Sequence, residues 1–246
     1  MKIFLAGTYG CDQWYSVRCK SRFILDTFAS IRENKPTESG RFEDYILDSG
    51  AFTFLNSGAK ADWNSYADRY ADYVKANNIK NYVELDIDAV VGYKEVLRLR
   101  DRLESRTGRR CMPVWHFSRG PAEFTRMVRE YSYACIGGIA MKSTVRLRNK
   151  FKPYMRHFID EAARNKCRLH CLGFTGTRHL KDLPFYSVDS TTWLNAKKYG
   201  MRYRFDGSKI EQLPPEKGRR YSDGYALGRW CADQWLKFQD YAYEYL

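Results

Sequence analysis

The 246-residue chain has no paired CxxC cluster. Its cysteines, Cys11, Cys19, Cys111, Cys135, Cys167, Cys171 and Cys231, are scattered and odd in number. Neither a zinc ribbon nor a disulfide framework is indicated. No apolar run approaches the roughly 20 residues needed to cross a bilayer. The opening stretch "MKIFLAGTYG" is too short for a signal peptide, so a soluble, cytoplasmic protein with no membrane partner is expected. No GxGxxG follows the first apolar run, which weakens a doubly wound dinucleotide-binding sheet. Low-complexity segments and sequence repeats are also absent, which leaves one large globular domain.

Positive charge and aromatic side chains are plentiful. Lys and Arg number 42 against 29 Asp and Glu, a net charge of +13, and 16% of residues are aromatic. A basic surface of this size favours polyanions, nucleic acid above all, although it also serves solubility. Arginines alternate with aromatics in "MRYRFDG" and "GRRYSDGYALGRW", a pairing suited to phosphates and unstacked bases. Arg202, Arg204, Arg219 and Arg220 are the candidate nucleic-acid contacts.

Short strand-like runs, "KIFLAG", "DYILDSG", "NYVELDID", "CMPVWHF", "YACIGGIA", "RLHCLGF" and "FYSVDS", alternate with longer amphipathic stretches. The amphipathic stretches include "ADWNSYADRYADYVKANN", "YKEVLRLRDRLESR", "PAEFTRMVREY" and "KPYMRHFIDEAARNK". In the first, Trp63, Tyr66, Tyr70 and Tyr73 form a core-facing stripe at helical spacing. The runs recur at roughly the 30 residues of a βα unit. Seven of them, with a degraded eighth near "RYRFDG", predict an α/β fold: a (β/α)8 TIM-like barrel in one domain, with a doubly wound sheet as the alternative. The barrel core is expected over residues 1–200. A basic, aromatic segment and a helix capped by Ser222 are expected over 201–246.

In such a barrel the C-terminal strand ends face one pocket. Those ends carry Asp48, Asp86 with Asp88 beyond it, His116, Gly137, Gly138, His170 and Asp189. A lone acid there is commonly a cap or an arginine partner, whereas three converging acids point to chemistry. Two opposed carboxylates can exchange or cleave a glycosidic bond, one at the anomeric carbon and the other moving protons. Burial can raise the pKa of one so that the roles divide. The glycine pair admits a flat ligand, and Phe52 and Trp115 could sandwich a base. His116 and His170 could donate to ring or phosphate oxygens, or be satisfied core residues. "CRLHC" (Cys167, His170, Cys171) could supply metal ligands, but it also reads as a buried strand.

"LDSGAF", "ELDID", "VWHF", "IGGIA", "HCLGFTGT" and "YSVDSTTW" resemble, in order and spacing, the tRNA-guanine transglycosylase superfamily. They are most similar to its shorter phage and bacterial branch, which inserts 7-deazaguanine bases into DNA. The resemblance runs from Lys2 to Trp193. It implies exchange of guanine for a free 7-deazapurine base through a covalent Asp–sugar intermediate, with no cofactor and no metal. By position it implies Asp189 as nucleophile, Asp48 as acid/base and Asp86 as reader of the base edge. Gly137 or Gly138 would contact the base through backbone, Phe52 would stack on it, and Ser49 would lie beside it.

The sequence departs from the tRNA enzymes at several points. Ala51 and Thr53 replace a glycine and a glutamine of the first motif. Trp115 or His116 stands where a base-reading glutamine is usual, and the C-terminal zinc cluster is absent. These departures favour DNA over tRNA as the partner. A barrel glycosidase using water, a tRNA-type enzyme and a non-catalytic nucleic-acid-binding barrel are the competing readings.

Overall fold

A computed structural model describes residues 1–9, 14–31, 38–50, 62–138, 144–174, 176–214 and 224–246. In chain order they form β1 (Lys2–Ala6), α1 (Tyr15–Lys20), β2 (Phe23–Thr27), β3 (Asp44–Asp48), α2 (Trp63–Ala76) and β4 (Asn81–Tyr82). Next come α3 (Asp88–Val91), α4 (Tyr93–Thr107), β5 (Val114–Trp115), α5 (Gly120–Glu130), β6 (Tyr133–Ile136) and α6 (Thr144–Arg164). The chain ends with β7 (Arg168–Cys171), β8 (Ser187–Ser190), α7 (Asn195–Tyr199), β9 (Arg202–Phe205), β10 (Ile210–Leu213) and α8 (Gly224–Tyr245).

Eight strands build one curled parallel sheet in the order β4-β3-β2-β1-β8-β7-β6-β5. Its edges, β4 and β5, are linked by the bridge Val83↔Met112 rather than by a ladder. There Met112 N–H donates to Tyr82 O at 2.8 Å and Glu84 N–H to Met112 O at 3.0 Å. The architecture is therefore an α/β half-barrel, curled but not closed by continuous pairing.

The two faces of the sheet are distinct. Phe4, Phe23, Ile46, Val83, Met112, Val114, Tyr133 and Cys135 pack together on the concave side. Their neighbours Ile3, Leu5, Ile24, Tyr45 and Leu47 belong to the outer core, with Tyr66, Tyr70, Leu99 and Trp235 from the helices. This alternation is the period-2 geometry of strands, with both faces covered as parallel sheets require.

The eighth strand differs from the expectation. "RYRF" forms β9, antiparallel to β10 in a separate two-stranded sheet. The eighth sheet strand is instead β2, "FILDT". It escapes a 30-residue period because β1, β2 and β3 begin at residues 2, 23 and 44, with only the six-residue α1 between the first two.

The tyrosine stripe of α2 does face the core: Tyr66, Tyr70 and Tyr73 are buried. Its hydroxyls also anchor the end of β3. Tyr70 Oη lies 2.9 Å from Leu47 O and 3.0 Å from Val83 O, and Tyr66 donates to Ser49 O. The C-terminal helix α8 buries Trp235 and Phe238. Its Gln239 amide donates to Ile3 O at 2.6 Å and Phe23 O at 3.0 Å, fastening the helix to β1 and β2. The expected cap Ser222 lies outside the described residues. Among the described residues no helix is long and apolar enough to cross a membrane.

Candidate active site

Parallel strands of similar length deliver their C-terminal residues to one rim. Thr27 pairs with Asp48 across β2 and β3, and Phe4 pairs with Asp189 across β1 and β8. Burial and the charges of Glu84, Asp48, Asp86 and Asp189 all push the Cys135 thiol well above its ordinary range. Four carboxylates at or just past three strand ends therefore act on one buried thiol of the concave face.

Asp48 ends β3, and its Oδ2 accepts from Gly50 N–H at 3.1 Å. Gly50 has φ +82°, and a Cβ there would lie 2.5 Å from the Ala29 Cβ. Only glycine makes this turn against β2's neighbour without displacing it. Burial raises the Asp48 carboxyl to about 7, against the bonds from Gly50 and Ser49, and the charges of Asp189 and Asp86 add to the rise. A carboxyl poised there can hold or release a proton at neutral pH. Ser49 is buried beside it, and its hydroxyl has no hydrogen-bond partner among the described residues.

Asp189 is buried on β8. Its Oδ1 accepts from Gly173 N–H at 2.7 Å and lies 3.2 Å from His170 Nε2. Among the described residues no hydrogen bond reaches Oδ2.

Asp86 Oδ1 is 2.6 Å from His116 Nε2. Burial works against the imidazolium, but the hydrogen bond and charge of Asp86 outweigh it and raise the His116 pKa. The buried Arg119 sits 3.4 Å from Asp86 Oδ1, 3.0 Å from Asp88 Oδ2 and 3.4 Å from Glu84 Oε1. Glu84 in turn holds Arg100 at 2.5 Å and accepts from Val114 N–H at 2.8 Å. Ligand atoms of Asp86, Asp88 and His116 lie within 4.8 Å of one another, close enough for a cation. The Arg119 guanidinium already pairs with two of the three.

Gly137 and Gly138 make room for His116. A Cβ on Gly137 would stand 2.7 Å from Val114 Cγ1 and 2.8 Å from His116 Cε1, and one on Gly138 would stand 2.9 Å from His116 Nδ1. Gly137→Ala should therefore push the imidazole off Asp86 and destabilise the fold by about 1–3 kcal/mol. Urea unfolding and the NMR titration of His116 check this together. An unchanged midpoint with an unchanged His116 pKa would refute it.

Other expectations fall differently. Trp115 cannot sandwich a base at the rim. It stands on the outer face of β5, buried against Phe124 and Phe158, with its indole N–H on Gly120 O at 2.8 Å. Its neighbour His116 takes the inward position because strand residues alternate. His170 is buried and both ring nitrogens are engaged, so it is not a donor to ligand. "CRLHC" is no ligand set either, since His170 faces Asp189 while Cys171 lies in the outer core. Arg202 stacks over Trp230 at 5.9 Å, and Arg204 pairs with Glu211 at 3.3 Å, both on the hairpin against α8. Phe52, Arg219 and Arg220 lie outside the described residues.

Sequence reasoning missed Arg119, Ser187, Tyr133 and the Gly173 amide. None carries a local signal, because each acts on a partner 16 to 54 positions away. No known protein family matches the chain, and no curated protein sequence does.

Proposed function

We propose that the protein is a base-exchanging transglycosylase that replaces guanine in DNA with a 7-deazaguanine derivative. The reading takes the curled sheet as a (β/α)8-type barrel with its active site at the C-terminal rim. The observation that carries it is the split between two rim carboxylates. Asp189 has one oxygen held by N–H donors and, among the described residues, no hydrogen bond on the other, while Asp48 is raised to about 7. The held carboxylate supports the part of nucleophile, and the raised carboxyl supports that of proton carrier.

In the reaction, Asp189 Oδ2 bonds to C1′ as the glycosidic bond breaks, and its electron pair leaves with guanine. Protonated Asp48 gives guanine its proton. The incoming deazapurine returns a proton to Asp48 and attacks C1′, releasing Asp189 as carboxylate. Asp86, paired with His116 and Arg119, is placed to accept hydrogen bonds from a base edge. The motif resemblance in "DSGAF", "ELD" and "SVDS" supports the same roles. Inside a duplex the base must leave the stack before C1′ can be reached, which favours single-stranded or flipped substrate.

The test incubates the protein with guanine-containing DNA or RNA and labelled guanine, then resolves products on a denaturing gel. A covalent protein–DNA adduct with label entering the strand is expected. Base release without incorporation would instead make it a water-using glycosidase. Exchange confined to RNA would favour a tRNA-type substrate, and the absence of all three products would leave a binding barrel.

A further inference from the structure

Asp189 stands at the end of a buried line of hydrogen-bonding groups that no part of the exchange chemistry requires by itself. Tyr133 Oη lies 2.6 Å from Ser187 Oγ, which lies 2.7 Å from His170 Nδ1; His170 Nε2 then faces Asp189 Oδ1 at 3.2 Å. Tyr133, Ser187 and His170 are all buried, and the imidazole is walled by Phe4 at 5.8 Å edge to face.

The polarity of the line follows from what each group can do. A carboxylate only accepts, so His170 Nε2 carries the proton. Were Nδ1 protonated as well, Ser187 would accept from it and could either donate to Tyr133 or accept from it. In either case one of the two hydroxyl protons would have no acceptor among the described residues, and a buried donor left unpaired is costly. With the opposite polarity every donor is used. Tyr133 donates to Ser187, Ser187 to His170 Nδ1, and His170 Nε2–H to Asp189.

We propose that His170 is a positioning residue for Asp189: a neutral imidazole locked as the Nε2–H tautomer by Ser187 and Tyr133. This rests on the base-exchange reading for its consequence, though not for its geometry. A neutral donor holds Oδ1 without transferring a proton to it, so Asp189 stays a nucleophile. With Gly173 N–H it also stabilises the carboxylate charge that returns when the incoming base displaces the sugar from Oδ2. The largest effect is therefore on the second half-reaction, where Asp189 is the leaving group.

The experiment has two arms. In the first, long-range proton–nitrogen NMR spectra of 15N-histidine-labelled protein at pH 7 report the tautomer of each of the four histidines. His170 is identified by its disappearance in His170→Gln. The neutral Nε2–H pattern is expected for the wild type. An imidazolium or an Nδ1–H tautomer in the wild type would overturn the proposal.

In the second arm, isolated enzyme–DNA adduct is chased with guanine. His170→Phe removes the donor and should slow resolution about 100-fold, the usual cost of one charge-stabilising donor. His170→Gln keeps an N–H in reach and should stay within about 10-fold. Resolution at the wild-type rate in His170→Phe would also overturn the proposal. If the wild type forms no adduct with any nucleic acid, the base-exchange reading fails, and the spectra still decide the relay.

Discussion

Asp189→Asn is expected to lower base exchange by at least about 10⁴-fold and to abolish the covalent adduct, while leaving the protein folded. Loss of an attacking group costs on this scale in covalent enzymes. The amide oxygen of asparagine can occupy the Oδ1 position and keep the bonds from Gly173 N–H and His170 Nε2–H. What disappears is the negative charge on the second oxygen, the one that the base-exchange reading gives to C1′. Circular dichroism and urea unfolding should match the wild type within about 1 kcal/mol, as expected for an isosteric change. Adduct formation by Asp189→Asn at the wild-type rate would make Asp189 structural.

Asp48→Asn should do the reverse of what most active-site changes do to stability. Burial raises the carboxyl from its ordinary 3.8 to about 7 in the fold. Between those values the folded state binds a proton that the unfolded chain has released. Stability therefore falls as pH rises from about 4 to about 7, and the full penalty applies above that. The gap corresponds to on the order of 4 kcal/mol. Asparagine carries no such penalty, so the variant should gain roughly that amount at pH 8, or roughly 8–16 °C in Tm for a chain of this size. At pH 4 the two proteins should be nearly equal.

Activity should move the other way, down about 10²–10⁴-fold, because guanine then leaves without its proton. Thermal unfolding of both proteins across pH 4–8 measures the first effect. A stability difference that does not grow with pH would show that Asp48 ionises like an exposed carboxylate.

These two acids were legible before the structure, and so were their strands. A run such as "DYILDSG" announces a buried strand by its apolar residues and an anomaly by the acid at its end. Helices α2, α4, α5 and α6 could be read the same way, because hydrophobic periodicity is a local property that reports burial. The short β1–β2 connection hid one strand, since a repeat length says nothing about a unit whose helix has shrunk to six residues. "RYRF" has strand chemistry, but its antiparallel partner β10 lies just beyond it, and nearest-neighbour pairing took it out of the main sheet.

What the sequence alone determined is the set of apolar stripes and the acids that interrupt them, because these depend on neighbours a few residues away. Only the tertiary structure decided how polar groups were matched. It turned Trp115 outward at the end of a two-residue strand and His116 inward just past it, brought Arg119 onto Asp86 and Asp88, and enclosed His170 between Ser187 and Asp189. The physical reason is that hydrophobic burial is non-directional and can be read from composition along a face. A hydrogen bond or ion pair needs its partner within about 3 Å at a set angle, and here that partner comes from another strand end.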